Sequence, residues 1–275
     1  MEQAELKEVQ AALLGIAEEL KRVCEQCGIR YFMDSGTLLG AIRHGGFIPW
    51  DDDMDFGMLR EEYARFIETA PGFLGKDYFL QTWDNDPQFP YAYAKLRKIG
   101  TVYEEALTDG LLNHNELYID IFPFDHYPDS CPQRIAHRMV ITLLRHAYLV
   151  SKGVKPWRTY SRPLMRAAVY LKYLPARLYS RMHTAEEIKS RHRKEAVRFN
   201  GAETGWLCEH AGNAPYGRQK VPAGCFASIV MHSFEDTEFP MCADYDTFLR
   251  CYYGEYMIPP KNPPAGSHGI VKISL

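Results

Sequence analysis

Asp51, Asp52, Asp53 and Asp55 crowd into five positions of a stretch otherwise made of Phe47, Ile48, Trp50, Met54 and Phe56. Carboxylates held so close raise one another's pKa, and burying them uncompensated costs several kcal/mol. An acidic surface turn after Pro49 is the ordinary alternative, but apolar residues on both sides draw the acids toward a core. Read as a strand over 51–58, the run sends Asp53 and Asp55 to one face and Met54 and Phe56 to the other, and Asp51 joins the first pair if extended backbone reaches back that far. A hard divalent cation would relieve the repulsion. Oxygen-only ligands suit Mg²⁺ or Mn²⁺, the ions that polymerase-like sites use to bridge phosphates.

Three further elements fit such a site. Asp120 lies in the apolar strand Tyr118-Ile119-Asp120-Ile121-Phe122, either as a third ligand or as an acceptor for a buried backbone donor. Asp125, past Pro123, reads as a turn residue. Gly36 and Thr37 open a helix after a strand, where backbone N–H groups and a hydroxyl can cradle phosphate. Lys95 and Arg97 share one face of a strand and are either phosphate-neutralising cations or ordinary exposed ones.

Around these residues the periodicity predicts helices over 2–27, from Leu38 to about Gly45, over 60–69 and over 243–253. Strands are predicted over 29–33, 78–83, 93–99, 117–122, 226–231 and 237–240. The order mixes helix and strand without βαβ repetition, so the expected class is α+β. Between Arg134 and Arg198 there are 16 Lys and Arg against three acids, while the remainder carries 16 against 32. This helical, proline-punctuated segment reads as a basic insertion at 131–199 within a catalytic domain formed by 1–130 and 200–275. It either docks on an anionic membrane through 134–198 or packs as a solvated basic helical pair on an acidic body. No recognition motif accompanies the charge, so nucleic acid is not an expected partner.

Composition excludes collagen-like, disulfide-scaffold and disordered chains. Seven cysteines, an odd number, point to reduced thiols, and Cys24-x-x-Cys27 reads as part of a helix rather than half a zinc site. The apolar run Met139–Val150 is broken by Arg145 and His146, and Glu2, Glu5 and Glu8 stand where a signal peptide would be basic. A cytoplasmic location is expected, with peripheral contact at the inner face of the membrane if the insertion docks there.

The run from Asp34-Ser35-Gly36-Thr37 through Arg43-His44-Gly45-Gly46-Phe47-Ile48-Pro49-Trp50 to Asp55 resembles the LicD family, which includes fukutin-like proteins and belongs to the nucleotidyltransferase-fold superfamily. Tyr93-Ala94-Lys95-Leu96-Arg97, Ile119-Asp120-Ile121-Phe122-Pro123-Phe124-Asp125 and Tyr252-Tyr253-Gly254-Glu255-Tyr256 add to the likeness, which leaves the basic segment poorly covered. The resemblance implies a nucleotidyltransferase-like mixed sheet flanked by helices. It also implies transfer of a phospho-alcohol, typically phosphocholine from CDP-choline with release of CMP, onto a hydroxyl of a cell-surface glycan or lipid-linked glycan. In that picture Asp53, Asp55 and Asp120 hold two Mg²⁺ or Mn²⁺ ions, with Asp51 and Asp52 as further candidates and Asp120 also as base. Ser35, Gly36, Thr37, Arg43, Lys95 and Arg97 bind substrate. The alternatives are a nucleotidyltransferase that releases pyrophosphate, and a non-catalytic glycan- or nucleotide-binding protein of the same fold. The tail lacks an arginine shortly before His268, which leaves His268 without an assigned role.

Overall fold

A computed structural model describes residues 3–108, 110–202, 204–212, 214–261 and 270–275, so His268 lies outside the described residues. The first helix, α1 (Gln3–Cys27), turns Val9, Leu13, Ile16, Leu20 and Val23 to one side at helical spacing, and all five are fully buried. Each contributes about 1.5–3 kcal/mol by leaving water. Cys24 and Cys27 both lie in this helix.

The chain continues as β1 (Phe32–Met33), α2 (Ser35–His44), β2 (Asp55–Leu59), α3 (Arg60–Thr69), β3 (Tyr78–Gln81), β4 (Ala94–Lys98), β5 (Val102–Glu105) and β6 (Tyr118–Tyr127). Four helices follow: α4 (Cys131–Ser151), α5 (Pro163–Lys172), α6 (Leu174–Met182) and α7 (Ala185–Ala196). After them come β7 (Trp206–Glu209), β8 (Lys220–Pro222), β9 (Ile229–Phe234), β10 (Thr237–Cys242), α8 (Tyr245–Tyr253) and β11 (Ile270–Ser274). The class is mixed α and β, as expected. The predicted strand over 51–58 begins only at Asp55, since Asp51 to Met54 have no regular structure.

The main sheet runs β1-β2-β6-β4-β3, with β7 also on β6 and β8 on β7. β2 and β6 are parallel and the other pairs antiparallel. β6 is long enough to change partner: residues 118–121 pair with β4 and 124–127 with β7. Pro123 falls in the gap between those two partners, where a missing N–H breaks no ladder on that side. Asp125 is therefore a buried strand residue and not the turn residue its proline neighbour suggests. Among the described residues no helix is long and apolar enough to cross a membrane.

Candidate active site

The site is assembled at the N-terminus of α2 and the starts of β2 and β6. Asp34 caps α2, its Oδ1 accepting a hydrogen bond from Ser35 N at 2.7 Å. Ser35 itself has φ +45, a left-handed conformation that a non-glycine residue adopts at a cost. Ten residues on, Gly45 with φ +74 ends the helix as its sequence predicts.

Thr37 does not face outward as a free phosphate ligand. It is buried, and its Oγ1 accepts the Asp55 N–H at 2.8 Å, while Asp34 N donates to Asp55 O at 3.0 Å. The first turn of the helix thus fixes the backbone of the acid across from it. A Cβ on Gly36 would stand 2.7 Å from Asp51 Oδ2, so glycine here is what lets a carboxylate lie against the helix start. Ser35 Oγ accepts from Gln219 Nε2 at 3.2 Å.

Asp55 on β2 and Asp120 on β6 are direct Cα partners. Burial first, and then the charges of Asp53, Asp120, Asp34 and Asp51, push the Asp55 carboxyl well above its usual range. Burial also raises Asp120, with Glu105 and Asp53 adding to it and Lys95 opposing. Asp51, Asp53, Asp55 and Asp120 therefore share one field, although Asp51 and Asp53 reach it from a loop and not by strand alternation. Asp52 is turned elsewhere: it is buried, and its Oδ2 accepts from Tyr103 OH at 3.0 Å.

Lys95 and Arg97 are buried, which removes the ordinary reading of exposed strand cations. Lys95 Nζ lies 3.4 Å from both Asp120 Oδ1 and Glu105 Oε2 and 3.2 Å from the Tyr118 ring centroid, with Tyr91 and Tyr93 around it. Asp120 Oδ1 is attracted by that ammonium but accepts no hydrogen bond among the described residues. The Arg97 guanidinium is committed to Gln81 Oε1 and Glu116 O. Arg43, on the last turn of α2, donates to Tyr256 O at 2.9 Å.

The donor set is all oxygen and mutually repelling, as a hard divalent cation requires, and the orphaned Asp120 Oδ1 is a fitting ligand atom. As the side chains stand, no three His, Cys, Asp or Glu groups among the described residues close into a coordination sphere.

Two acids escaped the sequence reading as members of the site. Asp34 is fully buried, and its carboxyl is pushed up to about 7 by burial and by Glu209, with Oδ2 lacking a well-formed hydrogen bond among the described residues. Its place directly before the helix start was the available signal. Glu105 sits on β5, a strand that no sequence pattern announces. Burial would raise its carboxyl, but Lys95, Tyr118 and Arg97 together hold it low.

Residues 28–139 match the LicD/FKTN/FKRP nucleotidyltransferase domain, a span holding every site residue named above except Gln219, Glu209 and Tyr256. Over 98% of its length the chain is 28% identical to the lipopolysaccharide cholinephosphotransferase LicD of Haemophilus influenzae, covering 97% of that protein. It is 47% identical over 122 residues to the human ribitol 5-phosphate transferase FKRP, and 30% identical over 122 residues to the mouse protein of that name. Those two matches take in 42% of this chain and 21% of each relative.

Proposed function

We propose that the chain, whose residues 28–139 match the LicD/FKTN/FKRP nucleotidyltransferase domain, is a LicD-type, metal-dependent transferase that moves a phospho-alcohol onto a hydroxyl of a cell-surface glycan or glycolipid precursor. The donor in this reading is CDP-choline and the leaving group CMP. The bacterial relative is a cholinephosphotransferase and the mammalian relatives are ribitol 5-phosphate transferases, so a phosphate carrying an alcohol is the common cargo. One observation carries the reading: Asp55 and Asp120 face each other across parallel strands, beside the N-terminus of α2 and in the field of Asp53.

Phosphoryl transfer is mostly positioning and charge neutralisation, and this arrangement offers both. Mg²⁺ or Mn²⁺ held by Asp53, Asp55 and Asp120 would supply Lewis acidity to the donor's diphosphate. The first turn of α2 offers the backbone N–H groups of Gly36 and Thr37 to an anion, the Ser35 N–H being held by the Asp34 cap. Lys95 Nζ lies buried 3.4 Å from Asp120 Oδ1. The acceptor oxygen forms the new P–O bond, the bond to the CMP oxygen breaks, and the hydroxyl proton passes to a carboxylate of the group. Asp120 is the carboxylate given that task here, since burial raises it above its usual range even with Lys95 opposing.

The same reading takes the mixed sheet as nucleotidyltransferase-like and residues 131–199 as an insertion in it, since β7 rejoins β6 after the four helices. Seven free thiols suit a cytoplasmic setting. The deciding experiment is phosphorus NMR of the protein with Mg²⁺ and a panel of CDP-alcohols, with and without candidate glycans. Acceptor-dependent conversion of the diphosphate into CMP and a phosphodiester is expected. Release of pyrophosphate from a nucleoside triphosphate instead, or no divalent-dependent chemistry at all, would overturn it.

A further inference from the structure

We propose that α5 and α6 form a docking face that seats the protein on an anionic lipid surface. From residue 130 to residue 185 the chain has no acidic residue and eleven Lys and Arg. None of the ten residues of α5 is buried. Leu164 is 88% exposed, Leu171 63%, Leu178 51% and Met182 77%.

Leu164 and Leu171, seven residues apart, share one face of α5, and Leu178 and Met182, four apart, share one face of α6. Tyr173, φ −88 and ψ −2, is both the last cap of α5 and the first of α6, so the two helices follow one another directly. Exposed Met165 and Leu174 widen this apolar surface. The helices are held from behind: Ala176 is buried on the α4 side, the Tyr173 ring lies tilted against His146 with centroids 4.3 Å apart, and Arg177 lies over the Tyr170 and Trp157 rings. The apolar surface is thus presented on a fixed support.

Contiguous exposed apolar surface in a protein marks something that covers it, and here the rim identifies what. Arg162, Arg166, Lys172 and Arg181 are exposed beside this surface, and no acid interrupts them. Leucines entering the acyl boundary while guanidinium and ammonium groups meet lipid phosphates is the composition of a helix that lies in a membrane interface. A second copy of the chain fits poorly, because its matching face would bring the same cations into opposition. This inference stands apart from the transferase reading, since vesicle binding is measured with no substrate present.

The test is sedimentation of the full chain with vesicles of phosphatidylcholine alone and of phosphatidylcholine mixed with phosphatidylglycerol. Binding to the mixed vesicles only, weakened by added salt, is expected. Leu164→Ser/Leu171→Ser should cut the partition coefficient by about tenfold or more, because two exposed side chains lose their apolar transfer, and Arg166→Gln/Arg181→Gln should remove most of the lipid-charge preference. Both pairs are exposed, so unaltered thermal unfolding is expected and is checked in parallel. Equal partition into both vesicle types, no response to either double variant, or a salt-stable oligomer that the leucine variant disperses would each overturn the proposal.

Discussion

Asp55 and Asp120 stand opposite one another as Cα partners of the parallel strands β2 and β6, and Asp120 N donates to Met54 O at 2.9 Å. Adjacent strands are about 4.8 Å apart, a separation at which two carboxylates repel by only about 1 kcal/mol in bulk water but several-fold more where burial withdraws them from it, as it does here. If they serve a cation, replacing either removes chemistry but relieves strain. Asp55→Asn and Asp120→Asn should each lower the transfer rate by roughly 10³-fold or more, the scale of losing several kcal/mol of charge stabilisation. Calorimetry should show a Tm that is held or raised. A Tm that collapses together with activity would assign the pair a structural task.

Thr37 offers a test of positioning. Its hydroxyl is the acceptor for the Asp55 N–H, and both lie out of bulk water. Thr37→Val keeps the shape and leaves that donor unpaired, at a cost of about 1–3 kcal/mol. Transfer should fall chiefly in kcat, with KM for the donor nearly unchanged, and Thr37→Ser should restore most of it. A change confined to KM would mean that the hydroxyl touches the donor directly.

The helices and the acid cluster at 51–55 were legible in the chain because each is announced locally. α3 matches its predicted bounds of 60–69, and α1 and the Gly45 stop follow from spacing and glycine chemistry. What was not legible depends on distant partners. β5 has four residues and pairs with β11 more than 160 residues later, while β7 and β8 become strands only by extending β6 past the α4–α7 segment. Pro123 hid the second half of β6, and with it the burial of Asp125. That Asp55 and Asp120 become Cα partners, and that Lys95 is buried among three tyrosines, follow only from the sheet.

Asp125, misread as a turn residue, is tied to Arg60 by two contacts of 2.8 and 2.5 Å and to Asn200 Nδ2 at 2.8 Å. Burial alone would raise its carboxyl, but Arg60 outweighs that and holds it low. Arg60→Met should therefore leave an uncompensated buried charge and lose about 3–5 kcal/mol in urea unfolding. The double variant Arg60→Met/Asp125→Leu should recover most of this loss. Equal losses in single and double variants would mean that packing around Arg60, and not its charge, is what matters.

His210 gives the chain a predictable acid limb. It is buried and stacked on Tyr216 and Tyr127, and neither ring nitrogen has a partner among the described residues. Burial pulls its pKa down to about 3, with Arg60, Arg145 and His137 adding to the effect and Asp125 opposing, and burial brings His192 down to about 3 as well. The unfolded chain takes up these protons near the ordinary pKa of 6.5 and the folded one does not. Each histidine therefore costs stability as pH falls below about 6.5, roughly 1.4 kcal/mol per pH unit until the folded pKa is reached. Glu209 runs the other way: burial raises its carboxyl to about 7, so it disfavours the folded state as pH climbs from about 4.5 toward 7 and offsets part of the histidine slope in that window. Below about 4.5 the histidine effect is no longer offset by Glu209. His210→Phe keeps the stacked ring and removes both unpaired nitrogens, so it should be neutral or stabilising at pH 7 and should flatten the acid limb. Urea midpoints of the two proteins from pH 3.5 to 7 measure this, and curves that stay parallel would mean that His210 keeps its charge when folded.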